Sequence, residues 1–215
     1  MLYWLEQLGV AVAAITGVLA ARGKSVDLFG VVVLAVVTAF GGGTIRDLAL
    51  GDAPVFWVRD GNYILTAVAT ALVTFVVARF HEFSNRALLL ADAVSLAFFT
   101  MIGVKKALVF AAPAPVAVTM GVITGVAGGI LRDTLTGEIP YVFRKEIYFY
   151  ATASLCGAVV FVLIHGSLAN DQASVLIGAA VTFALRLAAI RWKLALRLAA
   201  IRWKLALPVF TPRQR

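Results

Sequence analysis

Charge is what this sequence has least of. Of its 215 residues only 14% are Asp, Glu, Lys or Arg, while 62% are hydrophobic, against about half in an ordinary soluble domain. A water-soluble globular fold is excluded, because it has nowhere to bury so much apolar surface. Cysteine is nearly missing too. Cys156 stands alone in an apolar run, which removes a disulfide framework and a cysteine metal site and leaves a small packing residue. Histidine is limited to His81 and His165, no nucleophile has a base close by in sequence, and no nucleotide or metal motif occurs, so the residues suggest no catalytic centre. Basic residues are also lacking ahead of the first apolar run, which carries Glu6 near its start. This argues against a cleaved signal peptide.

What is present is apolar sequence in blocks of bilayer length, roughly 17 residues or more, separated by short polar breaks. Seven spans are expected, at about 3–21, 28–46, 61–80, 87–104, 115–133, 147–165 and 173–192. The expected fold is an all-α integral membrane protein in one membrane domain. It divides into a first three-helix unit (1–84), a second (85–168), a seventh helix with a basic extension (169–207) and a tail (208–215). The net charge of +8 is concentrated at the end, eight of the 19 basic residues lying from Arg186 onward. A cytoplasmic helix end accounts for them better than nucleic acid does.

Alternating sides of the membrane divide the basic residues unequally. Arg46, Arg59, Lys105 and Lys106 fall on the side of the N-terminus, and the other fifteen on the opposite side. The bias puts the N-terminus outside and the C-terminus in the cytoplasm. The tail itself holds a perfect duplication, RLAAIRWKLAL at 186–196 and again at 197–207. It reads as about three further turns of the last helix, with Trp192 and Trp203 as interfacial anchors, or as a site for anionic lipid.

A longer repeat organises the rest. GGTIRDLALGDAPVFWVRD at 42–60 aligns with GGILRDTLTGEIPYVFRKE at 128–146 at an offset of 86 with six identities, and the same offset pairs Gly17 with Gly103 and Glu6 with Asp92. The unit therefore spans three helices. An odd number of spans inverts the second copy relative to the first, an architecture that places a pathway or binding site between the halves near the midplane.

The residues that stand out fall on this repeat. Gly41, Gly42 and Gly43 in the second span, and Gly128 and Gly129 in the fifth, weaken a helix by roughly 1 kcal/mol each. They suggest either a kink whose freed carbonyls line an ion path or a close helix contact. Arg46 with Asp47, and Arg132 with Asp133, follow each cluster. A charge at membrane depth costs on the order of 3 kcal/mol, so these residues either pair with each other or face a watery passage. Asp92 and Glu6 could draw cations to a pore mouth, and Glu6 also suits a helix N-terminus. Lys105 and Lys106, which have no counterpart in the first half, are placed to snorkel, to bind lipid phosphate or to gate.

The two signatures GGGTIRDLALG and GGILRDTLTGEIPYVFRKE, in two triple-helix repeats followed by a seventh helix, resemble the bacterial branch of the trimeric intracellular cation (TRIC) channel family over nearly all of residues 1–195. The resemblance implies a homotrimer in the bacterial inner membrane with one pathway per subunit, conducting potassium and sodium as permeant ions. It implies no cofactor, bound lipid near the trimer interface, glycine bends around the pore in helices two and five, and an influence of Lys105 and Lys106 on gating. The lysine-rich phosphoinositide motif of animal members is missing, and the duplicated tail is a further departure. A secondary transporter of glycine or another small solute is the competing reading, since carriers share inverted repeats. A lipid-organising protein without a passage is a third.

Overall fold

The computed structural model describes residues 2–144, 150–166 and 171–203, with 2, 85, 171 and 192–203 as backbone only. The chain is all-helical: α1 (Leu2–Ala20), α2 (Leu28–Leu50), the short α3 (Phe56–Arg59), α4 (Asn62–Phe80), α5 (Asn85–Val109), α6 (Ala114–Leu135), a 3-10 turn (Tyr141–Phe143), α7 (Ala151–Ile164) and α8 (Asp171–Trp203). Among the described residues six helices, α1, α2, α4, α5, α6 and α8, are long and apolar enough to cross a bilayer, and α7 is apolar but shorter. The boundaries follow the expected spans within a few residues, except that α8 continues to Trp203, as the duplicated extension suggested. The expected start of the sixth span at 147, Lys145 and Glu146, the side chains of Trp192 and Trp203, and the tail 208–215 lie outside the described residues.

Local chemistry sets the helix ends, and at the C-terminal ends of α2 and α6 it does so alike in both halves. Asp27 caps α2 by accepting the Gly30 N–H at 2.8 Å, the usual way a first-turn donor is satisfied. At the other end Gly51 takes a left-handed φ of 71° and donates to the last-turn carbonyls of α2, and Gly137, 86 residues on, has φ 72° just past α6. Only glycine adopts this turn without strain.

The local break expected at Gly41, Gly42 and Gly43, and at Gly128 and Gly129, is absent. Both α2 and α6 run through their glycines as continuous helix, so no run of freed carbonyls exists there. The glycines serve contact instead. A β-carbon on Gly42 would collide with the Thr124 carbonyl oxygen, and one on Gly128 with that of Thr38. The contact is reciprocal, Thr38 and Thr124 being themselves 86 residues apart, and its crossed register makes α2 and α6 antiparallel. Gly17 lies against Ala35 between α1 and α2, and Gly103 against Met120 and Thr124 between α5 and α6. Small residues thus bring helix backbones together in a solvent that gives helices no hydrophobic reason to associate. One apolar core joins α1, α2, α3 and α4 and takes in Phe99 and Ile102 of α5, and a second joins α5 to α8.

Candidate functional site

Two buried ionic networks lie at the C-terminal ends of α2 and α6, built to the same plan. In the first, Arg46 Nε donates to Asp47 Oδ1 at 2.7 Å, while Arg46 Nη1 lies 3.6 Å from Glu6 Oε1 on α1. Asp47 Oδ2 accepts the Phe56 N–H at 2.9 Å, and the Tyr63 hydroxyl donates to Glu6 Oε2 at 2.7 Å. In the second, Arg132 Nε donates to Asp133 Oδ1 and Nη1 to Asp92 Oδ1 on α5, both at 2.9 Å. Asp133 Oδ2 accepts the Tyr141 N–H at 2.9 Å, and the Tyr150 hydroxyl donates to Asp92 Oδ1 at 3.3 Å. Each arginine also lies over an aromatic ring, Arg46 over Phe56 and Arg132 over Tyr141. The side chains of Arg46 and Arg132 are 1% and 0% exposed, a depth at which an unpaired charge would not be tolerated.

The Arg and Asp residues singled out by the repeat therefore pair within their own halves. Glu6 and Asp92 prove to be the third members of the two networks. Lys106 does not snorkel. Its Nζ lies 2.7 Å from Asp47 Oδ1 and 2.6 Å from Asp52 Oδ2, so a cation from α5 ties the second half to the first. Lys105 beside it is partly buried. Outside the spans, Asp52 also pairs with Arg59 at 2.6 Å. Hydrogen bonds from Arg59 and Lys106 hold its carboxyl below the usual aspartate value.

Between the networks, where α2 and α6 cross beside α1 and α5, lies a narrow cleft of about 10 Å³, room for about one water. Its polar lining comprises Thr16, Thr38, Thr124, Ser95 and the ion-paired Asp92 and Arg132. Of the glycines singled out, Gly42, Gly43, Gly128 and Gly129 line it, while Gly41 packs on the Leu131 side chain. Thr38 donates its hydroxyl hydrogen to Leu34 O at 2.6 Å, Thr124 to Met120 O at 2.6 Å and Thr16 to Ala13 O at 2.8 Å. With those hydrogens committed to helix carbonyls, each hydroxyl has only lone pairs left to offer a guest. Those hydroxyl oxygens suit a cation, while the Arg132 guanidinium on the same lining is held by Asp92 and Asp133.

Sequence reasoning missed several participants, Thr16, Ser95 and Asp52 among them. Thr38 and Thr124 share a repeat position and were visible to it. Tyr63 and Tyr150 are 87 residues apart, one step off the register searched. Arg186 is a correction: counted with the basic tail, it is instead 1% exposed on α8. It lies about four turns into that helix, with its guanidinium over the Tyr150 ring at 4.7 Å.

The sequence matches the family described as glycine transporter twice, over residues 3–79 and 89–166. A UPF0126 inner membrane protein of Escherichia coli K12, YadS, is 47% identical over 196 residues, covering 90% of this chain and 94% of that protein. A UPF0126 membrane protein of Vibrio cholerae is 46% identical over 195 residues, covering 90% and 81%. Among solved structures, the TRIC trimeric intracellular cation channel orthologue from Rhodobacter sphaeroides superposes with a TM-score of 0.81 at 39% identity, covering 95% of this chain and 98% of that one. The chain belongs to the bacterial branch of the TRIC family. A prokaryotic TRIC channel crystallised in 0.5 M KCl gives a TM-score of 0.84 at 29% identity, covering 90% of this chain and 97% of that one. The TRIC fold thus extends over both ionic networks and the cleft between them.

Proposed function

We propose that this protein is a channel for monovalent cations, potassium and sodium, in the bacterial inner membrane. Seven spans in two inverted three-helix repeats plus α8 make one subunit, with the N-terminus outside and the C-terminus in the cytoplasm. Three subunits form a homotrimer with lipid at its interface, and each carries its own path between α2 and α6. Lys106, locked onto Asp47 and Asp52, is placed to act in gating. The observation that carries the reading is the cleft lining: hydroxyls that present only oxygen acceptors, next to the buried carboxylate of Asp92. Those acceptors replace part of a cation's hydration shell and repel anions. A cleft the size of one water corresponds to a closed state.

The test is a planar bilayer containing the purified protein under a potassium chloride gradient. Discrete openings reversing near the potassium equilibrium potential, and diminished by Asp92→Asn, are expected. A silent bilayer together with saturable glycine uptake into liposomes would replace the channel with a carrier.

A further inference from the structure

The internal repeat leaves both networks short of positive charge. In the first, Glu6 and Asp47 face Arg46; in the second, Asp92 and Asp133 face Arg132. Each is one formal charge negative from its own repeat. At the first the deficit is filled by Lys106, which has no repeat counterpart. At the second the only further cation among the described residues within ion-pair distance is Arg186 of α8, a helix outside the repeat, its Nη2 3.7 Å from Asp92 Oδ2.

Arg186 is held more loosely than the repeat arginines, each of which has its Nε bonded to the neighbouring aspartate. Its Nε and Nη2 both have no hydrogen-bond partner, and neither does Asp92 Oδ2 facing it. A separation of 3.7 Å is beyond a hydrogen bond, so the contact is Coulombic and readily exchanged for another partner, whereas Arg132 is fixed by bonds to two carboxylates.

On the conduction reading above, we infer that Arg186 sets the charge selectivity of the cytoplasmic end of the path. It cancels the surplus negative charge that Asp92 otherwise presents to the cleft. A permeating cation competes with the Arg186 guanidinium for Asp92 Oδ2, and displacement of α8 exposes a net negative site.

The experiment measures the potassium-to-chloride permeability ratio from reversal potentials in reconstituted bilayers. Formal charge at the site dictates an order. Arg186→Gln is the most cation-selective, raised roughly 3- to 10-fold over wild type. Wild type, Arg186→Lys and the Asp92→Asn/Arg186→Gln double variant lie together, and Asp92→Asn alone lies lowest. Arg191→Gln, at an exposed position on the same helix, matches wild type. If Arg186→Gln fails to assemble, the double variant against Asp92→Asn still reads the Arg186 charge. Equal ratios in that pair, or an Arg186→Lys that behaves as the glutamine variant, would overturn the inference while leaving the channel in place. A wild type that conducts nothing would overturn the conduction reading and this one with it.

Discussion

Gly42 packs on the backbone of Thr124 so closely that a β-carbon there would come far inside 3.0 Å of the carbonyl oxygen. Because the obstacle is backbone, neither helix can yield without separating from the other. Gly42→Ala and Gly128→Ala are therefore expected to destabilise the protein by roughly 1–3 kcal/mol, the usual cost of overpacking, despite alanine's better helix propensity. At Gly41 the obstacle is the tip of the Leu131 side chain, which can turn away, so Gly41→Ala is expected to be near neutral. Thermal unfolding of the three variants in detergent checks the contrast.

The sequence showed that these glycines matter without showing how. A small-residue cluster in an apolar helix is equally suited to a bend and to a close crossing, and which one forms depends on the facing helix. The partner of Gly42 is 82 residues away in Thr124. Asp92 was legible, since an acid inside an apolar block has to find a partner. Its partners Arg132 and Tyr150 were not, because one lies at the end of another helix and the other off the repeat register. Arg186 was misplaced for a different reason: it opens a basic segment, and composition assigned it to that segment, while the helix carrying it begins early enough to bury it.

Asp47 holds three donors at once, Arg46, Lys106 and the Phe56 N–H, and is fully buried. Asp47→Asn removes the anion that Arg46 and Lys106 share and leaves them only Glu6 and Asp52, so a loss of about 3 kcal/mol, the low end for a broken buried pair, is expected. Glu138→Gln, which breaks the exposed pair with Lys24, is expected to cost under about 1 kcal/mol. Denaturant or thermal melts of the two variants separate these outcomes.

Acid stability should report on Asp52. Its carboxyl titrates below the ordinary aspartate value because Arg59 and Lys106 donate to it. A depressed folded value means that the stabilisation is complete above the unfolded value near about 4 and is lost as pH falls through the lower folded one. Asp52→Asn is therefore expected to reduce stability at neutral pH and to flatten the decline below about pH 4, read from melting temperatures across pH 2.5–7 in a detergent that tolerates acid (a window set around that titration range).

The threonine hydroxyls separate a cation path from mere packing. Thr38 and Thr124 give their hydrogens to Leu34 and Met120 carbonyls of their own helices, bonds that helices do without at little cost. Valine keeps the shape and the apolar contacts while deleting the oxygen. If these oxygens help dehydrate a passing ion, Thr124→Val lowers single-channel potassium conductance several-fold with a melting temperature close to wild type, and Thr124→Ser, which keeps the hydroxyl, conducts nearly as wild type. An unchanged conductance in Thr124→Val would move the ion path away from the α2–α6 crossing, since no cation passing there could avoid the missing oxygen.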